Sequence, residues 1–153
     1  MNRFDVLKRK SVMVLSVLTV LIVAFIWSNS FVSGEESGAR SGSVTKFLLS
    51  ILDPNGRIPE DSFHHFIRKT AHFVEFAVLG VVLGSLFRVV GQETGRSFFS
   101  LPVLLVLLVA VIDEYIQFFT GRGSMVTDVV LDFAGGLTGL LLAFLLSLLK
   151  KKK

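Results

Sequence analysis

Between Arg68 and Asp132, apart from Arg88, Glu93 and Arg96 at a turn, otherwise apolar sequence holds one histidine, five carboxylates and three fixed cations, several of them in pairs whose spacing puts them on shared helical faces. Lys69 and His72, His72 and Glu75, Glu114 and Gln117, Asp113 and Gln117, and Asp128 and Asp132 are each three or four residues apart. His72 and Glu75 with Asp113 and Glu114 offer nitrogen and oxygen ligands for a hard or borderline divalent cation, or a general acid and base. Arg68 and Arg122 offer forks that fit a carboxylate or phosphate. Glu75, Asp113, Glu114, Asp128 and Asp132 outnumber Arg68, Lys69 and Arg122 by two charges if all are ionised. A protonated acid, a charged His72, or a bound cation would remove that excess. Three readings follow: an ion-pair network that only fixes helices, a site for a ligand or lipid headgroup, and a catalytic or metal site. Ser124 has no evident triad partner and reads as a capping or hydrogen-bonding residue of a loop. His64 and His65 read as solvent-exposed or interfacial.

These residues need a scaffold, and the composition dictates which kind. Of 153 residues, 52% are apolar, more than a soluble domain of this size needs for its core. Residues 11–27, 71–87, 98–119 and 129–149 are each long enough to cross a bilayer, which takes roughly 20 residues at about 1.5 Å each. The expected fold is therefore all-α, a polytopic membrane protein with four transmembrane helices. A charge in hydrocarbon costs at least about 2.5 kcal/mol, so the polar faces should turn into the bundle. With no cysteine, disulfides, thiolate metal sites and a cysteine nucleophile are excluded. The basic residues cluster at segment ends rather than along a groove with stacking aromatics, which argues for lipid contact and against nucleic acid.

The first apolar run follows Arg3, Lys8, Arg9 and Lys10, and Ser28-Asn29-Ser30 resembles a loose signal-peptidase site. Its length and the bulky Trp27 favour a retained anchor over residues 11–31. Basic residues in the tail at 1–10, at the turn between the second and third spans (Arg96, with Arg88 beside it), and at 150–153 place these regions on one side, so both termini are expected in the cytoplasm of a bacterial cell. The outer loop, 32–67, begins with a Ser- and Gly-rich stretch at 33–43 that reads as a flexible linker. Val44, Phe47, Leu48, Ile51 and Leu52 then recur at helical spacing, as in a short helix on the membrane surface. Asp53-Pro54-Asn55-Gly56 ends it as a turn, and Pro59-Glu60-Asp61 starts another helix that runs into the second span. In the core at 68–149, Gly80 with Gly84 and Gly135 with Gly139 form small-x-x-x-small patterns. They predict close packing of the second span on the fourth, with homodimerisation as the alternative.

Two stretches carry a resemblance. Arg68 to Gly80, with Lys69-Thr70-Ala71-His72-Phe73 at its heart, is similar to the first signature of the VanZ-like family. Asp113-Glu114-Tyr115-Ile116-Gln117, followed by Gly121-Arg122 and Asp128, is similar to its second. The resemblance implies an integral membrane protein of the cell envelope, since the family's namesake lowers sensitivity to teicoplanin. It implies no defined reaction. Two functions are therefore expected: binding or shielding a lipid, cell-wall ligand or lipoglycopeptide, or acting as a membrane enzyme on a lipid-linked or wall-derived substrate. No organic cofactor is expected, and a divalent cation is the one candidate for a bound ion.

Overall fold

The computed structural model describes residues 3–151; the side chains of residues 3–8, 40 and 150–151, and so most of both basic tails, lie outside the described residues. The order is α1 (Arg3–Ser30), α2 (Gly34–Leu52), α3 (Glu60–Thr94), α4 (Ser100–Phe119) and α5 (Val126–Lys151). Four of these, α1, α3, α4 and α5, are long and apolar enough to span a membrane. The chain is an all-helical, multi-pass membrane protein. Its outer surface says the same in residues: Met13, Val17, Leu21, Leu104, Leu108, Leu141 and Phe144 are large, apolar and exposed, an arrangement that suits lipid and not water.

Helix α3 is the hub, packed against α1, α2, α4 and most extensively α5. Its 35 residues span about 50 Å, well beyond a hydrocarbon core of about 30 Å, so its first turns stand clear of the apolar layer. Ile26, Phe76, Leu79, Leu83, Val106, Val109 and Ala110 form the core between α1, α3 and α4.

The predicted α3–α5 contact is present, and the glycines explain it. A Cβ at Gly80 would strike the Gly136 carbonyl, one at Gly135 the Phe73 carbonyl, and one at Gly139 the Ala77 carbonyl. Only bare backbone lets the helices come that close. Gly84 faces the Ala143 methyl, which would lie 2.9 Å from an added Cβ. Gly136, the neighbour of Gly135, faces the other way and receives the Val106 side chain of α4. At the opposite end of the bundle from the polar site, the Arg88 guanidinium donates to the Ser147 carbonyl at 3.2 Å.

One expectation fails. Residues 33–43 are not a flexible linker; they form the N-cap, Ser33, and the N-terminal half of α2. The Ser33 hydroxyl accepts from the Glu36 amide at 3.3 Å, and Glu35 and Glu36 occupy the first turn, so cap and acids both favour helix initiation. Further along, the Ser41 hydroxyl donates to the Ser37 carbonyl at 2.7 Å and contacts His64 Nε2. Of the two histidines read as solvent-exposed or interfacial, His65 is exposed and His64 is a half-buried contact between α2 and α3. The apolar residues expected on a surface helix, Val44, Phe47, Ile51 and Leu52, remain exposed on α2. Its end is the predicted turn, with Gly56 at φ 64° and the Asp53 carboxylate accepting from the Ile58 amide. Helix α3 starts after Pro59 and continues without a break into the second span, as the sequence suggests.

Candidate functional site

The helices alternate in direction, so the end of α1, the start of α3, the end of α4 and the start of α5 meet at one end of the bundle. From α3 come Arg68, Lys69, His72 and Glu75; from α4, Asp113, Glu114 and Gln117; from the loop before α5, Arg122 and Ser124; from α5, Asp128 and Asp132. All eleven predicted residues line, or lie directly beside, two adjoining clefts. One, of about 330 Å³, lies between α1, α2 and α3 and is lined by Asn29, Ser37, Arg68, Glu75 and Arg122. The other, of about 380 Å³, lies between α3, α4 and α5 and is lined by Lys69, Glu114, Ser124, Asp128 and Asp132. Arg68 and His72 line both.

Each side chain has a local reason for its place. Helix α4 stops at Thr120, Gly121 takes the left-handed conformation at φ 70°, and the Arg122 amide bonds back to the Gln117 carbonyl at 3.1 Å. That is the glycine-dependent helix stop, and it folds Arg122 back over the bundle. Arg122 is only 7% exposed, and its Nη1 donates to the Asn29 carbonyl at 2.8 Å. Burial, and after it the nearby Arg68, lowers the Arg122 pKa, while Asp113, Glu114 and Glu75 pull it back up. Lys69 and Asp128 form an ion pair at 2.9 Å, half in solvent. The Glu114 carboxylate accepts from the Met125 amide at 3.2 Å, and Ser124 lines the same cleft.

Beneath these lies a buried centre. Asp113 is fully buried; its two oxygens accept from the Ser30 hydroxyl at 2.7 Å and the Gln117 amide at 2.8 Å. His72 Nδ1 stands 3.8 Å from Asp113 Oδ2 and 3.8 Å from Asp132 Oδ1. Asp132 is 1% exposed, yet neither of its oxygens has a hydrogen-bond partner, and nor does His72 Nδ1. Arg68 Nε and Arg122 Nε are likewise buried without partners. Buried polar atoms are nearly always satisfied, and these exceptions lie together at one end of the bundle.

Sequence reasoning missed the contribution of α1. Asn29 donates to Glu75 Oε1 at 3.3 Å, Ser30 holds Asp113, and the Ser30 carbonyl accepts from the Thr120 hydroxyl at 3.0 Å. Two residues of the tripeptide that resembles a cleavage site, Asn29 and Ser30, are thus part of the polar centre, while Ser28 is exposed and bonds to the Phe25 carbonyl of its own helix. Three consecutive small polar residues at the end of an apolar helix were the available signal, since buried polar residues need partners. His65 lines the second cleft, whereas His64 is turned toward α2.

A sequence model of the VanZ/LLP1 family matches residues 15–147. None of the curated proteins and none of the solved structures compared matches the chain. The matched span takes in the second half of α1, all of α2, α3 and α4, both clefts and all but the end of α5, and on that coverage the chain belongs to the VanZ/LLP1 family.

Proposed function

We propose that this protein modulates sensitivity to lipoglycopeptides such as teicoplanin by binding or shielding an anionic lipid or cell-wall ligand at the polar end of the bundle. Family membership supports a membrane protein linked to glycopeptide resistance. The observation that carries the finer reading is the pair of arginines in the first cleft. Arg68 and Arg122 both line it, and each keeps a buried Nε with its hydrogen unused. Two guanidinium forks beside one cavity suit a phosphate or carboxylate headgroup. Exposed apolar residues of α2, Val44, Phe47 and Ile51, sit on the helix that walls this cleft and supply a surface for acyl chains. In this reading the clefts face the wall side of the bacterial cytoplasmic membrane and both termini lie in the cytoplasm.

The test is a sensitivity assay in cells that carry the Arg122→Lys or Arg68→Gln protein. Arg122→Lys keeps the charge and removes the planar fork, so sensitivity should rise to that of cells lacking the protein, at unchanged membrane abundance. Normal resistance at normal abundance in both variants would refute the assignment. Turnover of a lipid-linked substrate by the purified protein would replace binding with catalysis.

A further inference from the structure

Below the arginine cleft, the buried centre has the composition of a metal site. We propose that His72, Asp113 and Asp132 bind one divalent cation of the borderline class, Zn2+ or Mn2+, through His72 Nδ1 and one oxygen of each carboxylate.

Geometry comes first. One ligand atom from each of the three residues lies within 4.8 Å of the others, with His72 Nδ1 at 3.8 Å from both carboxylates. Metal bonds of about 2.0–2.2 Å separate adjacent ligand atoms by about 3–3.6 Å. A cation would therefore shorten the two His72 contacts by roughly 0.2–0.8 Å and bring the two carboxylate oxygens, within 4.8 Å of each other, together by up to about 1–2 Å. The three come from three helices, α3, α4 and α5, so one ion would pin all of them at a point.

Independent support comes from Asp132. A carboxylate that is 99% buried with both oxygens unpartnered is rare and costly. Among the described residues, no lysine or arginine nitrogen lies within 4.0 Å of it or of Asp113; Lys69 is paired with Asp128 instead. Neutral His72 with two carboxylates carries charge −2, which a divalent cation cancels. Asp113, by contrast, is held by Ser30 at Oδ1 and by Gln117 at Oδ2, the oxygen that faces His72, as hydrogen-bonding partners orient metal-bound carboxylates elsewhere.

The donor set chooses the cation. Ca2+ takes six to eight oxygens and Mg2+ keeps most of its waters in a strict octahedron, so an imidazole with two carboxylates suits neither well. One nitrogen with two oxygens is the chemistry of Zn2+ and Mn2+. The second cleft, of about 380 Å³, opens onto His72 and Asp132 and leaves the remaining coordination positions to water or an anionic ligand. The inference does not depend on the lipoglycopeptide reading, since the arginine variants and the metal test have separate readouts.

The test uses full-length protein purified in detergent, stripped with chelator and melted with added Zn2+, Mn2+, Ca2+ or Mg2+. Zn2+ or Mn2+ at about 100 times its dissociation constant should raise the melting temperature by roughly 5–10 °C, with close to one ion bound per chain by elemental analysis. Asp132→Asn should melt no lower than the stripped parent, because it removes a buried unpaired charge, yet lose the metal-dependent rise. His72→Gln should lose it as well, whereas His65→Gln should keep it. No rise in the parent with any of the four ions would overturn the proposal, as would a full rise in Asp132→Asn. Loss of the rise in His65→Gln alone would move the ion to the protein surface and would also overturn it.

Discussion

Substituting Gly139 by alanine tests whether the bundle is held by backbone contact between α3 and α5. The added Cβ would collide with the Ala77 carbonyl oxygen and stand 2.8 Å from both Ala77 C and Val81 N. All three are main-chain atoms of α3, so no side chain can rotate away. Reaching an ordinary contact of at least 3.4 Å requires the last two atoms to recede by about 0.6 Å and the carbonyl oxygen by more than an ångström. A gap of about 0.5–1 Å forfeits a quarter to a half of each dispersion contact, and Gly80 and Gly135 share the same seam. Overpacking costs about 1–3 kcal/mol where neighbours can adjust, so an unyielding backbone places Gly139→Ala near 3 kcal/mol. For a chain of this size that lowers the melting temperature by about 6–12 °C. Gly42→Ala is the internal reference: nothing lies within 4 Å of its added Cβ, and alanine in a helix should stabilise it by up to about 1 kcal/mol. Thermal melting in one detergent reads both. Equal melting of the two variants, or Gly139→Ala melting at or above the parent, would refute the backbone-contact argument.

Other consequences can be checked singly. Intact-mass measurement of the purified protein should show α1 still attached, because Asn29 and Ser30 bond to Glu75 and Asp113; a mature chain beginning at Phe31 would contradict this. Ser30→Ala removes the hydroxyl that Asp113 accepts from and should cost about 1–3 kcal/mol in a melting assay, with a cost near zero counting against a buried, ordered centre. Single cysteines at the exposed positions Asn55 and Ser97 should react oppositely with a membrane-impermeant thiol reagent on intact cells. Labelling is expected at position 55 and not at 97, and the reverse pattern would invert the proposed orientation.

Helix number and the shared polar layer were both legible in the sequence, for a physical reason. Apolar runs of twenty residues have few alternatives in a bilayer, and alternating helix directions bring His72, Asp113 and Asp132 to one end whatever the details of packing. The pairing of α3 with α5 was legible too, because Gly80, Gly84, Gly135 and Gly139 are useful only where a second backbone approaches. Gly136 was not, since adjacent glycines leave open which neighbour each one faces. The reading of residues 33–43 failed by weighing serine and glycine content above local chemistry. Ser33 followed three residues later by Glu36 is a capping box in sequence, and it outranks a composition that by itself suggests a linker.

The role of α1 was the least legible part, and the reason bears on how the site is built. Hydropathy marks Asn29 and Ser30 only as the end of a span, and a cleavage motif fits them as well. Their partners, Glu75 and Asp113, are 46 and 83 residues away, a separation that no local pattern encodes. Yet the acids by themselves posed the question: two buried carboxylates among apolar side chains need donors, and the pairs within α3 and α4 do not provide enough. Ser30 and Gln117 satisfy Asp113, whereas nothing comparable reaches Asp132, although both are buried to the same degree. A network that existed only to fix helices would be expected to satisfy both, because a half-satisfied buried network is less stable than an apolar core. That asymmetry, within one cluster and among side chains of one type, is the strongest structural argument that Asp132 is held for a ligand.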